Sequence, residues 1–416
     1  MLSLVCLLNF AASAICITFA SIQLQIAEHF KVSDTASVFL TSIYSILFLP
    51  SLLLATYQLQ IKGLKYSLVI GGSITALGSW LKVVSLFFSN PNYGVLLLGQ
   101  GICAIAQSIC LLAPMRVAAD WFGVREKSMA MNFAVCSGTL GIATGLALPY
   151  EFERNGYLDY TSLFLLEATF ITAIFLMIYQ YYAENPSCAP TGTGEYRMSL
   201  SEMLLSHWST LLFFGKPKDL LFLTVGFSLI YGALLAFNAC LSQYLWKVAG
   251  ISGDFAAVTG ITNILVGFVV SSVVGMITGT LPHAKNAIVK ALAVASAAGA
   301  FALAFCPYGV NQAHVVGLVC LPFGFAYGLV PCALDLAVEY TYPLAEEISA
   351  GLLYSAGGHI AFVSSVLLTH LLAGQKALWQ GRLHPGTIYL LVQLVLGAGF
   401  LTYANGRCRR SEAEQR

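Results

Sequence analysis

Asp335 and Glu339 lie four residues apart on one helical face, at the end of an apolar run that carries two prolines. The stretch AVEYTYPLAEEISAGLL that follows adds Glu346 and Glu347. A charge next to lipid costs about 3 kcal/mol unless it is paired or hydrated, so these acids call for basic partners. Arg116, Arg125 and Lys127 stand at matching depth in the other half of the chain. The chemistry on offer is reversible ion pairing. Arg116, Arg125, Lys127, Asp335 and Glu339 are expected to form a cytoplasmic gate, with Glu339 against Arg116, while Glu346 and Glu347 read as helix-end acids in water. Two further groups could move a proton: Glu167, a carboxylate inside an apolar run, and His359, an imidazole that can both take up and release one. Each also reads as a satisfied structural group.

The composition dictates what must position these residues. Of 416 residues, 58% are hydrophobic and 9% are charged, whereas soluble domains carry about 25% charged residues. Such a chain cannot cover itself with polar surface, and an integral membrane protein is expected. A spanning helix takes roughly 20 apolar residues, and the chain divides into runs near Leu2 to Ile26, Val38 to Gln58, Tyr66 to Phe88, Tyr93 to Ala119, Ser128 to Tyr150 and Thr161 to Tyr182, then Asp219 to Trp246, Phe255 to Leu281, Asn286 to Cys306, His314 to Thr341, Ile348 to Ala373 and Thr387 to Ala404. The opening MLSLVCLLNFAASA has no positive n-region and its apolar run continues through Ile26, so it reads as a first span and not as a signal peptide.

The polar segment 183–218 separates six runs (1–182) from six (219–404), and a tail follows (405–416). Within the segment, Ser199 and Glu202 have capping-box spacing and open an amphipathic pattern, read as a helix on the membrane surface or as a tether. Lysine and arginine placement puts both termini in the cytoplasm, with Lys62, Lys65, Arg125, Lys127 and Lys285 on that side. Lys31, Arg154, Lys247 and, by snorkelling, Lys82 fall outside. Pro322 and Pro331 predict kinks in the tenth run. Gly141 and Gly145 predict close helix packing, either between halves or within one. Two six-helix halves around a linker is a transporter layout, with a cargo site at mid-depth.

Three segments are more specific: YSILFLPSLLLATYQLQIKGLK, GQGICAIAQSICLLAPMRVAADWFGVREKSMAMN, and the acidic stretch above. Through Trp121-Phe122-Gly123 and Glu339-x-Thr341-Tyr342-Pro343, the chain resembles the feline leukaemia virus subgroup C receptor-related family of the major facilitator superfamily. The resemblance implies an all-α membrane protein of twelve transmembrane helices in two six-helix bundles. It also implies a carrier of small organic solutes such as vitamins, amino alcohols or haem-related compounds. In the superfamily's layout the first, fourth, seventh and tenth spans line the cavity, followed by the fifth, eighth and eleventh. Gln107, Asn238, Gln243 and His359 are then the leading cargo candidates, with Tyr231, Tyr327 and Tyr354 beside them and Asn132 and Asn263 at similar depth. Each reads equally as an interhelical hydrogen-bonding or interfacial residue. The tryptophan, tyrosine and glutamine with which choline-carrying members cage a quaternary ammonium are replaced by Cys16, Leu235 and Gly358, Gln60 stands for a loop aspartate, and Gly138-Thr139 for an Asn-Gln pair.

Net charge is +1, which gives no basic field for nucleic acid. No nucleophile–base pair, C-x-x-C or H-E-x-x-H occurs, so neither an enzyme, a metal nor a cofactor is expected. The eleven cysteines fall mostly inside apolar runs and read as small buried hydrophobes. The expected partners are a small-molecule solute and the bilayer, with the chain a monomer in the plasma membrane sooner than in an organelle. A transport-inactive receptor or sensor of the same fold is the alternative.

Overall fold

The computed structural model describes residues 1–88, 91–154, 159–183, 218–249, 253–281, 284–305, 312–342, 344, 346–374 and 384–406. The amphipathic pattern at 199–212 and the PTGTGEY turn lie outside these. The described residues form helices joined by short turns, with no strand among them, and eleven of the helices are long and apolar enough to cross a membrane. A twelfth is completed if Phe39–Phe48 and Pro50–Lys62, bent by 55°, are one span. Pro50 explains the bend, since its ring removes a helix donor and clashes with the preceding turn.

The chain forms two compact units, Met1–Ser206 and His207–Arg416. The first contains α1 (Leu2–Ile17), a 3-10 turn at Thr18–Ala20, α2 (Gln23–His29), α3 (Asp34–Tyr57), α4 (Leu64–Val84), α5 (Tyr93–Trp121), α6 (Val124–Arg154) and α7 (Tyr160–Tyr181). The second contains α8 (Lys218–Ala239), α9 (Leu241–Tyr244), α10 (Gly253–Thr280), α11 (Lys285–Ala304), α12 (Gln312–Thr341), α13 (Glu346–Gly374) and α14 (Pro385–Tyr403).

Local signals set the ends. Ser33 and Asn92 accept from the amides of Ala36 and Val95 as N-caps of α3 and α5, and Asp159 does the same for α7 through Thr161. Gly63, at φ +90°, turns the chain from a π-helical stretch at Gln58–Lys62 into α4, a backbone state that only glycine adopts without strain. α12 runs unbroken through Pro322 and Pro331.

Small residues set the packing. A Cβ on Gly141 would stand 2.1 Å from the Phe10 carbonyl oxygen and one on Gly145 2.3 Å from that of Ala14, so both glycines lie against the backbone of α1 within the first unit. In the second unit Gly267 of α10 admits the ring of Tyr327 of α12, and Gly357 of α13 admits that of Tyr231 of α8. Large apolar side chains such as Leu77, Leu98, Val269 and Val366 are exposed, as lipid contact requires and a soluble domain avoids. The eight described cysteines are free, and all but Cys16 are buried.

Candidate functional site

In the second unit, α8 and α12 bring Asn238 and Tyr327 together. Asn238 Nδ2 donates to Tyr327 Oη at 2.7 Å, and both residues are buried. The Asn238 Oδ1 oxygen has no partner. α10 closes this corner: Ser271 Oγ donates to the Tyr327 carbonyl at 3.0 Å, and Asn263 lies on the same α10 face as Gly267. Two turns back along α8, Tyr231 stacks on Phe227 at 5.2 Å between centroids and meets Tyr354 of α13 edge-on at 5.7 Å. The result is a neutral set of amides, a phenol and ring faces. It can orient a small polar organic molecule and attract a cation to its rings. Among the described residues no group of side chains could hold a metal ion.

The structure does not bring Gln243 and His359 into this set. Gln243 is exposed on α9, and His359 is exposed on α13 with Nδ1 against the Ser355 carbonyl at 2.7 Å. In the first unit Gln107 is buried on α5 and makes no hydrogen bond among the described residues. Asn132 of α6 donates to Ser128 O one turn earlier.

The charges predicted for a gate resolve into local arrangements. In the second unit Lys285 opens α11 and reaches the end of α12, with Nζ 2.7 Å from Asp335 Oδ2 and 2.9 Å from Glu339 Oε1. All three are buried. In the first unit Arg116 Nε pairs with Asp120 Oδ2 at 2.8 Å, one turn on along α5. Lys127 is half-buried, and the side chain of Arg125 lies outside the described set. Glu347 is buried and not solvated as the sequence suggested, with Glu346 half-buried beside it. Both sit in the first turn of α13, where free backbone N–H groups favour carboxylates.

Lys82 departs from its expected place. It does not snorkel outward; it is fully buried, with Nζ 2.6 Å from Glu167 Oε2 and 5.5–5.6 Å from the ring centres of Phe19 and Phe164. Thr18 Oγ1 donates to Glu167 Oε1. Pairing with a carboxylate inside the unit relieves the cost that snorkelling would otherwise avoid. Glu167 thus has both oxygens engaged.

The sequence gives no sign of Lys285, Lys82, Thr18 or Phe227 in these roles. Lys285 and Lys82 stand at run ends and read as solvated. A pairing of acids and bases across helices inside one half was the signal to weigh against pairing between halves.

The Major Facilitator Superfamily profile matches residues 2–366. The human choline/ethanolamine transporter FLVCR2 is 28% identical over 424 residues, covering 98% of this chain and 78% of that protein. The rat choline/ethanolamine transporter FLVCR2 is 25% identical, covering 96% and 72%. Solute carrier family 49 member A3 from Xenopus tropicalis is 28% identical, covering 86% and 74%. These relatives agree with the resemblance read from Trp121-Phe122-Gly123 and Glu339-x-Thr341-Tyr342-Pro343. The solved structure of the human organic anion transporter MFSD10 matches with a TM-score of 0.71 at 16% identity, covering 95% of this chain and 98% of that one. The E. coli fucose:proton symporter FucP matches with a TM-score of 0.67 at 16% identity, covering 98% of each; at that identity both show the fold. With the helical units, the lipid-suited exposure and the neutral polar set in place, the chain belongs to the Major Facilitator Superfamily and is a membrane transporter of small organic solutes.

Proposed function

We propose that the cargo is a small amino alcohol of the choline and ethanolamine class, carried by alternating access. The observation that carries this reading is the neutral set Asn238, Tyr327, Tyr231 and Tyr354, which offers hydrogen bonds and ring faces but no fixed charge. Ring faces favour an ammonium, amide and phenol groups favour a hydroxyl or amine, and a multiply charged anion finds nothing to neutralise it. The naming of the relatives as choline/ethanolamine transporters supports the same class. Cys16, Leu235 and Gly358 supply no aromatic cage, which favours ethanolamine over the quaternary choline.

Gln107, Gln243 and His359 belong to this proposal as further cargo contacts, and Arg116, Arg125, Lys127, Asp335 and Glu339 as the gate. The proposed setting is the plasma membrane, with both termini cytoplasmic and the chain a monomer. Proton coupling through His359 or Glu167 is the part the geometry supports least, because Glu167 is held by Lys82 and Thr18. Purified protein in vesicles, offered ethanolamine, choline, pyridoxine and haem with and without a proton gradient, tests the cargo, its transport and the coupling. Concentration-dependent uptake of ethanolamine is expected. Uptake of pyridoxine or haem alone overturns the cargo class, and binding without uptake replaces the transporter reading with a receptor.

A further inference from the structure

Asn263 of α10 is fully buried, and neither its Oδ1 nor its Nδ2 has a hydrogen-bond partner. Native interiors almost always satisfy such groups, so an amide orphaned at both ends asks for an occupant. Its surroundings are set by its neighbours on the α10 face. A Cβ on Gly260, three residues earlier, would stand 2.5 Å from the Leu241 side chain, and one on Gly267, four residues later, 2.5 Å from that of Tyr327. Asn263 therefore lies on the α10 stripe bounded by the Leu241 and Tyr327 contacts. Leu241 is three residues on from Asn238, whose own Oδ1 is orphaned while its Nδ2 bonds Tyr327 Oη. Ten residues into α10, Asn263 is roughly 15 Å along the helix axis from its start, near the mid-depth where a carried solute binds.

The two unpartnered ends of the Asn263 amide select the ligand group. A quaternary ammonium neither donates nor accepts a hydrogen bond. A primary ammonium only donates, which leaves Nδ2 of Asn263 unmet, and a carboxylate only accepts, which leaves Oδ1 unmet. Exchanging the oxygen and nitrogen of either asparagine changes nothing, since one end of Asn238 and both ends of Asn263 are orphaned in either orientation. A hydroxyl donates and accepts at once. We propose that Asn263, with Asn238 and Tyr327, is the subsite that reads the hydroxyl group of the cargo, and so distinguishes an amino alcohol from the matching amine. The subsite rests on the amino-alcohol reading above.

A site built to hydrogen-bond a substrate hydroxyl rejects the analogue lacking it, because its polar groups are then stranded. The test uses two solute pairs that differ in that group: ethanolamine against ethylamine, and choline against ethyltrimethylammonium. Each is offered to the full chain in vesicles, with ligand-induced shifts in melting temperature read on the same protein in detergent. N263L is the variant; replacing an unpaired amide by an apolar group of similar shape leaves folding intact or improves it. The wild type is expected to prefer the hydroxylated member of a pair by about 100-fold or more in kcat/KM, and N263L to bring the ratio below about tenfold, with the melting shifts following the same order. Equal handling of a pair by the wild type, or an undiminished ratio in N263L, means that the amides hold a resident water and overturns the subsite while leaving the cargo class standing. A wild type that moves none of the four solutes removes the cargo class and the subsite together.

Discussion

Lys285 holds two buried carboxylates with one ammonium, and this makes it the most consequential charge in the second unit. Asp335 and Glu339 share an α12 face because they are one turn apart, and the N-terminal residue of α11 is placed to reach both. Removing one partner of a buried pair leaves uncompensated charge, and K285M is expected to cost about 3–5 kcal/mol. The check is melting in detergent: a large drop for K285M, mostly recovered when D335N and E339Q are added. A K285M protein that melts like the wild type would refute the clamp. His384 makes a different residue-scale prediction. It caps α14 by accepting from the Gly386 amide through Nδ1 at 3.2 Å, which requires the neutral ring. Burial, and then the nearby Lys247, holds its pKa below the ordinary histidine value. The unfolded chain then binds the proton more readily, so stability rises with pH from the lowered folded value up to about 6.5. Melting temperature is expected to fall on acidification from pH 7 to 5, and H384N, a non-titrating cap, to flatten part of that fall.

At the scale of elements, contacts between helix backbones decide the first unit. α6 lies on α1 through Gly141 and Gly145, and the atoms they would strike are main-chain carbonyls, which cannot swing aside. G141A is therefore expected to cost about 2 kcal/mol as overpacking, whereas G399A on α14, where a Cβ meets nothing within 4 Å, is expected to be harmless. Unfolding of the two variants in the same detergent measures the contrast. The break of the first span at Thr18–Ala20 has a chemical anchor: Thr18 bonds Glu167, and Glu167 pairs with Lys82 among the rings of Phe19 and Phe164. A buried pair is expensive to desolvate, and here its geometry joins the 3-10 turn after α1 to α4 and α7 at one point.

For the whole molecule, transport requires the two halves to expose the cargo to each side in turn, and the proposed gate is tested at that scale. Charge reversal E339K places a cation beside Lys285 and is expected to lower both stability and uptake. Adding K285E restores the pairing inside the second unit and should recover melting temperature. Adding R116E recovers uptake only if Arg116 and Glu339 act together in the cycle. A double-mutant cycle with no coupling between Arg116 and Glu339 in uptake rates would remove the gate and leave the Lys285 clamp intact.

By itself the sequence determined the solvent, the spans and the family: hydrophobic runs of membrane length are local, and each needs only its own residues to be recognised. Trp121-Phe122-Gly123 and Glu339-x-Thr341-Tyr342-Pro343 are local in the same way. It also located Asp335, Glu339, Asn238 and Tyr327 as residues of interest. Which residues they face was decided only by the tertiary structure. Lys82 and Glu167 are 85 residues apart, and Asn238 and Tyr327 are 89. Such pairs form because glycines fix how closely the helices approach and rotate against one another, and no periodicity along the chain records that rotation. The same cause brought Lys285 to Glu339 and left Asn263 without a partner.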